Sequence, residues 1–113
     1  MTIDPAQLQG HLDGMVLSVL TAEPGHGYDV VRRLGAASDG VFELPEGTVY
    51  PALHRLERAG LLASRWETVE GRRRRVYQLT AAGRVRLGER RRGWQRFAGA
   101  VSAVLAPVPG STA

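Results

Sequence analysis

Apolar residues recur along the first part of the chain at the spacing of an α-helix. Leu8, Leu12, Met15, Val16, Val19 and Leu20 fall on one helical face, which predicts an amphipathic helix over residues 7–22 stopped by Glu23-Pro24-Gly25. Tyr28, Val31 and Leu34, three residues apart, predict a short second helix that opens at Gly27, weakens at Gly35 and is closed by Asp39-Gly40. After Leu44-Pro45 a third helix is expected, with Val49, Ala52, Leu53, Leu56, Ala59 and Gly60 inward and Gly47, Pro51, His54 and Arg58 on the opposite side. Proline lacks a backbone donor, so Pro51 belongs in or just beyond the first turn; this puts the start near Gly47 or Thr48, with Thr48 as the N-cap.

From Leu61 the period changes to two. Leu62, Ser64, Trp66 and Thr68 share one face of a strand, and in a second strand Val76, Gln78 and Thr80 alternate with Tyr77 and Leu79. The connection 69–74 contains Glu70-Gly71 as its turn signal and runs into four consecutive arginines, Arg72 to Arg75, so a hairpin with a basic tip is predicted. Thr80 then caps a helix expected to reach Ala106, ended by Pro107 and Pro109. Within it Leu87, Trp94 and Val101 recur every seven residues, as do Phe97 and Val104, a seam flanked by Ala98 and Leu105 that suits pairing with a second copy.

The fold class that follows is mainly α with a small β-hairpin: a winged helix-turn-helix of three helices and a two-stranded wing over residues 1–80, a long dimerisation helix over 81–106, and a flexible tail at 107–113. A chain of 113 residues is of single-domain size. Charge sharpens the picture. Residues 1–71 carry five arginines against ten acids, whereas residues 72–96 carry ten against Glu89 alone, a local charge of +9 that calls for a polyanionic partner. All fifteen cations are arginine, which suits bidentate phosphate and guanine contacts and equally fits the codon usage of a GC-rich genome.

Three separated segments carry a resemblance. The string Gly47-Thr48-Val49-Tyr50-Pro51-Ala52-Leu53-His54-Arg55-Leu56-Glu57-Arg58-Ala59-Gly60-Leu61-Leu62 resembles the recognition-helix signature of the PadR family of bacterial transcriptional regulators. His26-Gly27-Tyr28-Asp29 is similar to that family's second-helix start, and Arg75-Val76-Tyr77-Gln78-Leu79-Thr80-Ala81-Ala82-Gly83 to its second wing strand and entry to the last helix. The resemblance spans roughly residues 12–97. It implies a cytoplasmic, nucleoid-associated homodimer, usually a repressor, whose paired recognition helices read a pseudo-palindromic operator in double-stranded DNA. The single C-terminal helix matches the shorter members, which lack the longer effector region of some relatives.

The candidate DNA contacts are Thr48, Tyr50, Pro51, His54, Arg55 and Arg58 on the third helix, and Arg72, Arg73, Arg74 and Arg75 on the wing. Arg55 is the expected guanine reader. Tyr50 suits a phosphate or a thymine methyl, or else core packing, and His54 a contact or plain surface. Leu87, Trp94, Phe97, Val101 and Val104 are the expected dimer interface, while the resemblance also lets Trp94 and Phe97 hold a flat hydrophobic effector; dimer core is the simpler reading. Trp66 is expected to pack.

Several chemistries find no support. Cysteine is absent, which removes disulfides and thiolate chemistry. His11, His26 and His54 lack metal-ligand spacing, and the fourteen glycines form neither GxGxxG nor GxxxxGK[ST], so no metal, cofactor or enzymatic activity is expected. There is no leader pattern and no apolar run long enough to span a bilayer, and a membrane partner is not expected. The competing reading is a winged-helix module that binds another protein instead of DNA.

Overall fold

In the computed structural model, which describes residues 5–110, the elements run α1 (Pro5–Val19), β1 (Gly25–His26), α2 (Gly27–Ala37), α3 (Glu46–Arg58), β2 (Leu62–Val69), β3 (Arg72–Leu79) and α4 (Ala81–Leu105). The strands form an antiparallel sheet in the order β1-β3-β2. The expected winged helix-turn-helix is therefore present, with a third strand that the sequence reading lacked. Gly25 and His26 are too few to show a period, and only their pairing with Tyr77 and Val76 reveals them as a strand.

One core joins the elements. Val16, Leu17 and Leu20, Val30 and Leu34 of α2, and Val49, Ala52, Leu53 and Leu56 of α3 close over Leu62, Tyr77 and Leu79 of the sheet, with Leu87 of α4 completing it. The inward face of α2 is Gly27, Val30 and Leu34, not the Tyr28-Val31-Leu34 row read from the sequence. Tyr28 sits one position round the helix, exposed, with the Arg32 guanidinium 5.6 Å from its ring centre. At the start of α2 the His26 ring accepts from the Asp29 N–H, and the Asp29 carboxylate accepts from the His26 N–H at 3.1 Å, a reciprocal cap. Burial pushes the Asp29 carboxyl up, but the Arg32 hydrogen bond, the His26 backbone N–H and both positive neighbours together hold it below its ordinary value.

Helix α3 begins earlier than expected. Its N-cap is Pro45, which offers no side-chain hydrogen bond, so Thr48 is an interior residue and not the cap. Pro51 consequently lies well inside the helix, where it donates nothing to the Gly47 carbonyl one turn back. Both residues are exposed, so that carbonyl remains open to water or a ligand. The helix stops at Arg58, and Ala59 and Gly60, expected on the buried face, are exposed beyond it.

The corner leading into α4 is tightly determined. The Thr80 hydroxyl donates to the Gly60 carbonyl at 2.7 Å and accepts from the Gly83 N–H at 3.0 Å, and the Thr80 N–H donates to the Leu61 carbonyl. Gly83 lies so close to that carbonyl that any Cβ would overlap its oxygen. From this anchor α4 runs 25 residues, roughly 37 Å at 1.5 Å per residue, and gives the molecule a long axis of 62 Å. The expected tail begins on cue after Leu105, although residues 111–113 lie outside the described part.

Candidate nucleic-acid interface

The inward row of α3 is fixed by the core, and the remaining residues define its outer face. Pro51, His54, Arg55 and Arg58 are exposed there, whereas Thr48 and Tyr50 are half-buried. Tyr50 packs against the core with its ring over Gly27, which has no room for a side chain beneath it. The packing alternative for Tyr50 is thus the one its environment matches. Arg55 is exposed but engaged: its guanidinium lies 2.6 Å from the Asp13 carboxylate of α1. Reading a guanine requires that pair to open. The partner is 42 residues away, and no local pattern signals it.

The wing is closed by the shortest hairpin turn. Glu70 and Gly71 have φ of 52° and 78°, the positive pair that a type I′ turn demands, so Val69 pairs with Arg72 and the register counts outward to Trp66 opposite Arg75 and Leu62 opposite Leu79. Strict alternation then divides the arginine run. Arg73 and Arg75 share a face with Trp66, Ser64 and Tyr77, while Arg72 and Arg74 share the other with Arg65 and Glu67. The basic tip read from the sequence is two-sided.

The first of these faces meets α3. Glu57, in the last turn of the helix, accepts from the Ser64 hydroxyl, which in turn accepts from Arg75 Nε at 2.8 Å; Arg75 Nη2 lies 3.6 Å from the same Glu57 carboxylate. This relay ties the wing to the recognition helix and occupies Arg75, one of the four expected phosphate ligands. Beneath it Tyr77 is 2% exposed, and burial pushes its phenol up from the ordinary value, helped by Glu57 and Tyr50 and opposed by Arg75. Among the described residues no carboxylate stands within ion-pair distance of Arg72, Arg73 or Arg74.

Trp66 departs from its expected packing role. It is 54% exposed, and the guanidinium carbons of Arg73 and Arg75 lie 5.0 and 5.4 Å from its ring centre. Counting outward from a two-residue Glu-Gly turn places Trp66 beside these arginines, so the sequence held the signal; reading the turn as the wider segment 69–74 hid it.

On α4 the expected seam splits. Leu87 is 4% exposed, buried within this chain, so it is not a free surface residue. Trp94, Phe97, Val101 and Val104 are all exposed. Between α1 and α4 lies a groove of about 370 Å³ lined by His11, Met15, Phe42, Leu87, Arg90 and Trp94, with the His11 ring edge-on to Trp94 at 4.9 Å. Among the described residues no cluster of histidines and carboxylates could hold a metal ion, and no helix is long and apolar enough to cross a membrane.

Comparison with known proteins agrees with this geometry. The family described as transcriptional regulator PadR-like matches residues 16–89. The transcriptional regulator Rv3488 of Mycobacterium tuberculosis is 51% identical over 57 residues, which cover 50% of this chain and 53% of that protein, so the similarity spans about half of its length. A PadR family transcriptional regulator from Eggerthella lenta is 32% identical with a TM-score of 0.76, over 91% of this chain and 88% of that one. A transcriptional regulator from Clostridium thermocellum shares the fold at a TM-score of 0.83 and 24% identity, over 93% of this chain and all of the other.

Proposed function

Because the chain belongs to the PadR-like family of transcriptional regulators, which are not enzymes, we propose that it binds double-stranded DNA as a homodimer and represses transcription from a pseudo-palindromic operator in the cytoplasm. The outer face of α3 enters the major groove, where Pro51, His54 and Arg55 face base edges and Arg58 approaches the backbone. The wing arginines neutralise flanking phosphates. The observation that carries this reading is the Glu57-Ser64-Arg75 relay: it makes the helix and the wing one continuous surface, with unpaired Arg73 beside it.

Substituting Arg72→Ala together with Arg73→Ala should weaken binding to every duplex sequence and lower the slope of log affinity against log salt by about 2, one for each lost phosphate contact. A gel-shift titration at several salt concentrations measures both, and an unchanged slope argues against the wing as a phosphate clamp. The exposed Trp94, Phe97, Val101 and Val104 form the dimer seam in this reading. The groove beside Trp94 supports one addition: a flat hydrophobic effector bound against Trp94 and Phe97 relieves repression. Loss of effector response in a Trp94→Ala variant that still dimerises would favour it.

A further inference from the structure

We infer that Trp66 is a positioning residue of the wing, an indole platform that holds the Arg73 and Arg75 guanidiniums ready for DNA phosphates; this rests on the DNA-binding reading above. A tryptophan half in water on an eight-residue strand has no core to fill, yet its face is not bare. The hairpin register sets Arg75 directly opposite it and Arg73 two residues further toward the tip, on the same side. Both guanidiniums lie within cation–π distance of the ring.

The geometry matters because of what stacking leaves open. A guanidinium lying over a ring keeps its five N–H donors in its own plane, pointed outward, where they can take a phosphate in bidentate fashion. A free arginine loses side-chain entropy when it is fixed on a phosphate, and a platform that restrains it beforehand reduces that loss. Arg75 is restrained further by Ser64 and Glu57, whereas Arg73 has the ring alone among the described residues. Arg73 is therefore the cation whose orientation depends most on Trp66.

The two faces of the wing support this assignment. On the side away from Trp66, Arg65 pairs with Glu67 at 3.0 Å and with Gln78 at 3.1 Å, and Arg74 borders a cleft that also holds Asp29, Glu67 and Glu70. Carboxylates dilute the positive charge there. The Trp66 face carries Arg73 and Arg75 with Glu57 as its one acidic neighbour, and Glu57 faces α3. The less diluted cationic face is the one continuous with the recognition helix.

The test is a double-mutant cycle on the full chain, using a short duplex of arbitrary sequence at low salt, because the phosphate contribution is independent of sequence. Trp66→Leu should weaken binding about three- to fivefold, the size of an exposed cation–π interaction. In an Arg73→Ala background the same change should cost less than about twofold, since most of what the ring positions is gone. Trp66→Tyr, which keeps an aromatic face, should bind within about twofold of the wild type. An equal Trp66→Leu penalty with and without Arg73, no penalty at all, or a Tyr variant as weak as the Leu variant would each overturn the assignment. Thermal unfolding of the variants separates a folding defect from lost positioning. If the unmodified chain fails to bind the duplex, the DNA-binding reading itself fails, which is a different result.

Discussion

The two ends of the molecule are finished differently. At the recognition end nearly every polar side chain that projects outward is tied to another of the same chain: Arg55 to Asp13, Arg75 to Ser64 and Glu57, and Arg73 to the ring of Trp66. At the far end of α4 the exposed side chains are apolar and have no partner within the chain, from Trp94 at 50% exposure to Val104 at 83%. The first end is a shape made in advance, as suits a ligand whose groove and phosphate spacing are fixed. The second is half of a contact, as suits a self-complementary surface. The boundary falls inside one helix, between Leu87, which belongs to the core, and Trp94, two turns on.

Substitutions that strike either side of that boundary test the contrast, and the largest effect should come from its anchored side. Gly83→Ala pushes a methyl group into the Leu61 carbonyl, which is backbone and cannot swing away, so a loss above about 3 kcal/mol is expected and chemical denaturation should find the variant largely unfolded. Leu87→Ala leaves a cavity under α4 and should cost about 2–5 kcal/mol by the same measurement. If Leu87→Ala instead leaves stability intact, the boundary lies elsewhere.

Trp94→Ala should do the reverse of Leu87→Ala. The fold of each chain should survive, while self-association weakens by about tenfold or more, read by sedimentation equilibrium. Asp13→Asn should have the smallest effect. It frees Arg55 from a half-exposed ion pair, a class of interaction worth at most about 1 kcal/mol, so affinity for duplex DNA should rise by no more than about fivefold. A fall in affinity would mean that Asp13 aims Arg55 at the base rather than restraining it.

What was legible in the sequence follows from how far each feature reaches. The periodicities of α1, α3, the hairpin and α4 are local, and all four elements stand where their apolar residues put them, within a turn at their ends. The Thr80 cap is local too, and its residue and bond are as read. Failures came where a local rule met a tertiary one. Thr48 has the chemistry of an N-cap, but the chain enters the helix at Pro45, so α3 contains a proline the rule would have kept near its start. Tyr28 has the character of a core residue, but Val30 occupies the buried direction. Of the candidate site, the exposed row of α3 was visible as the complement of its apolar row. The engagement of Arg55 by α1 and the relay from Glu57 to Arg75 were not, because each joins residues brought together only by the fold.

The two-residue turn of the wing has a consequence for how this protein tolerates change. A single-residue slip of β3 along β2 would move every side chain of that strand to the opposite face. Arg72 and Arg74 would then stand where Arg73 and Arg75 stand now, and the positive charge beside α3 would be conserved. The run of four arginines thus acts as a redundant code, proof against a shift of one in its reading frame. Trp66 has no such duplicate on its strand, and Tyr77 would leave the core in the same step. The hairpin can misalign without losing its attraction for a polyanion, but not without losing its shape.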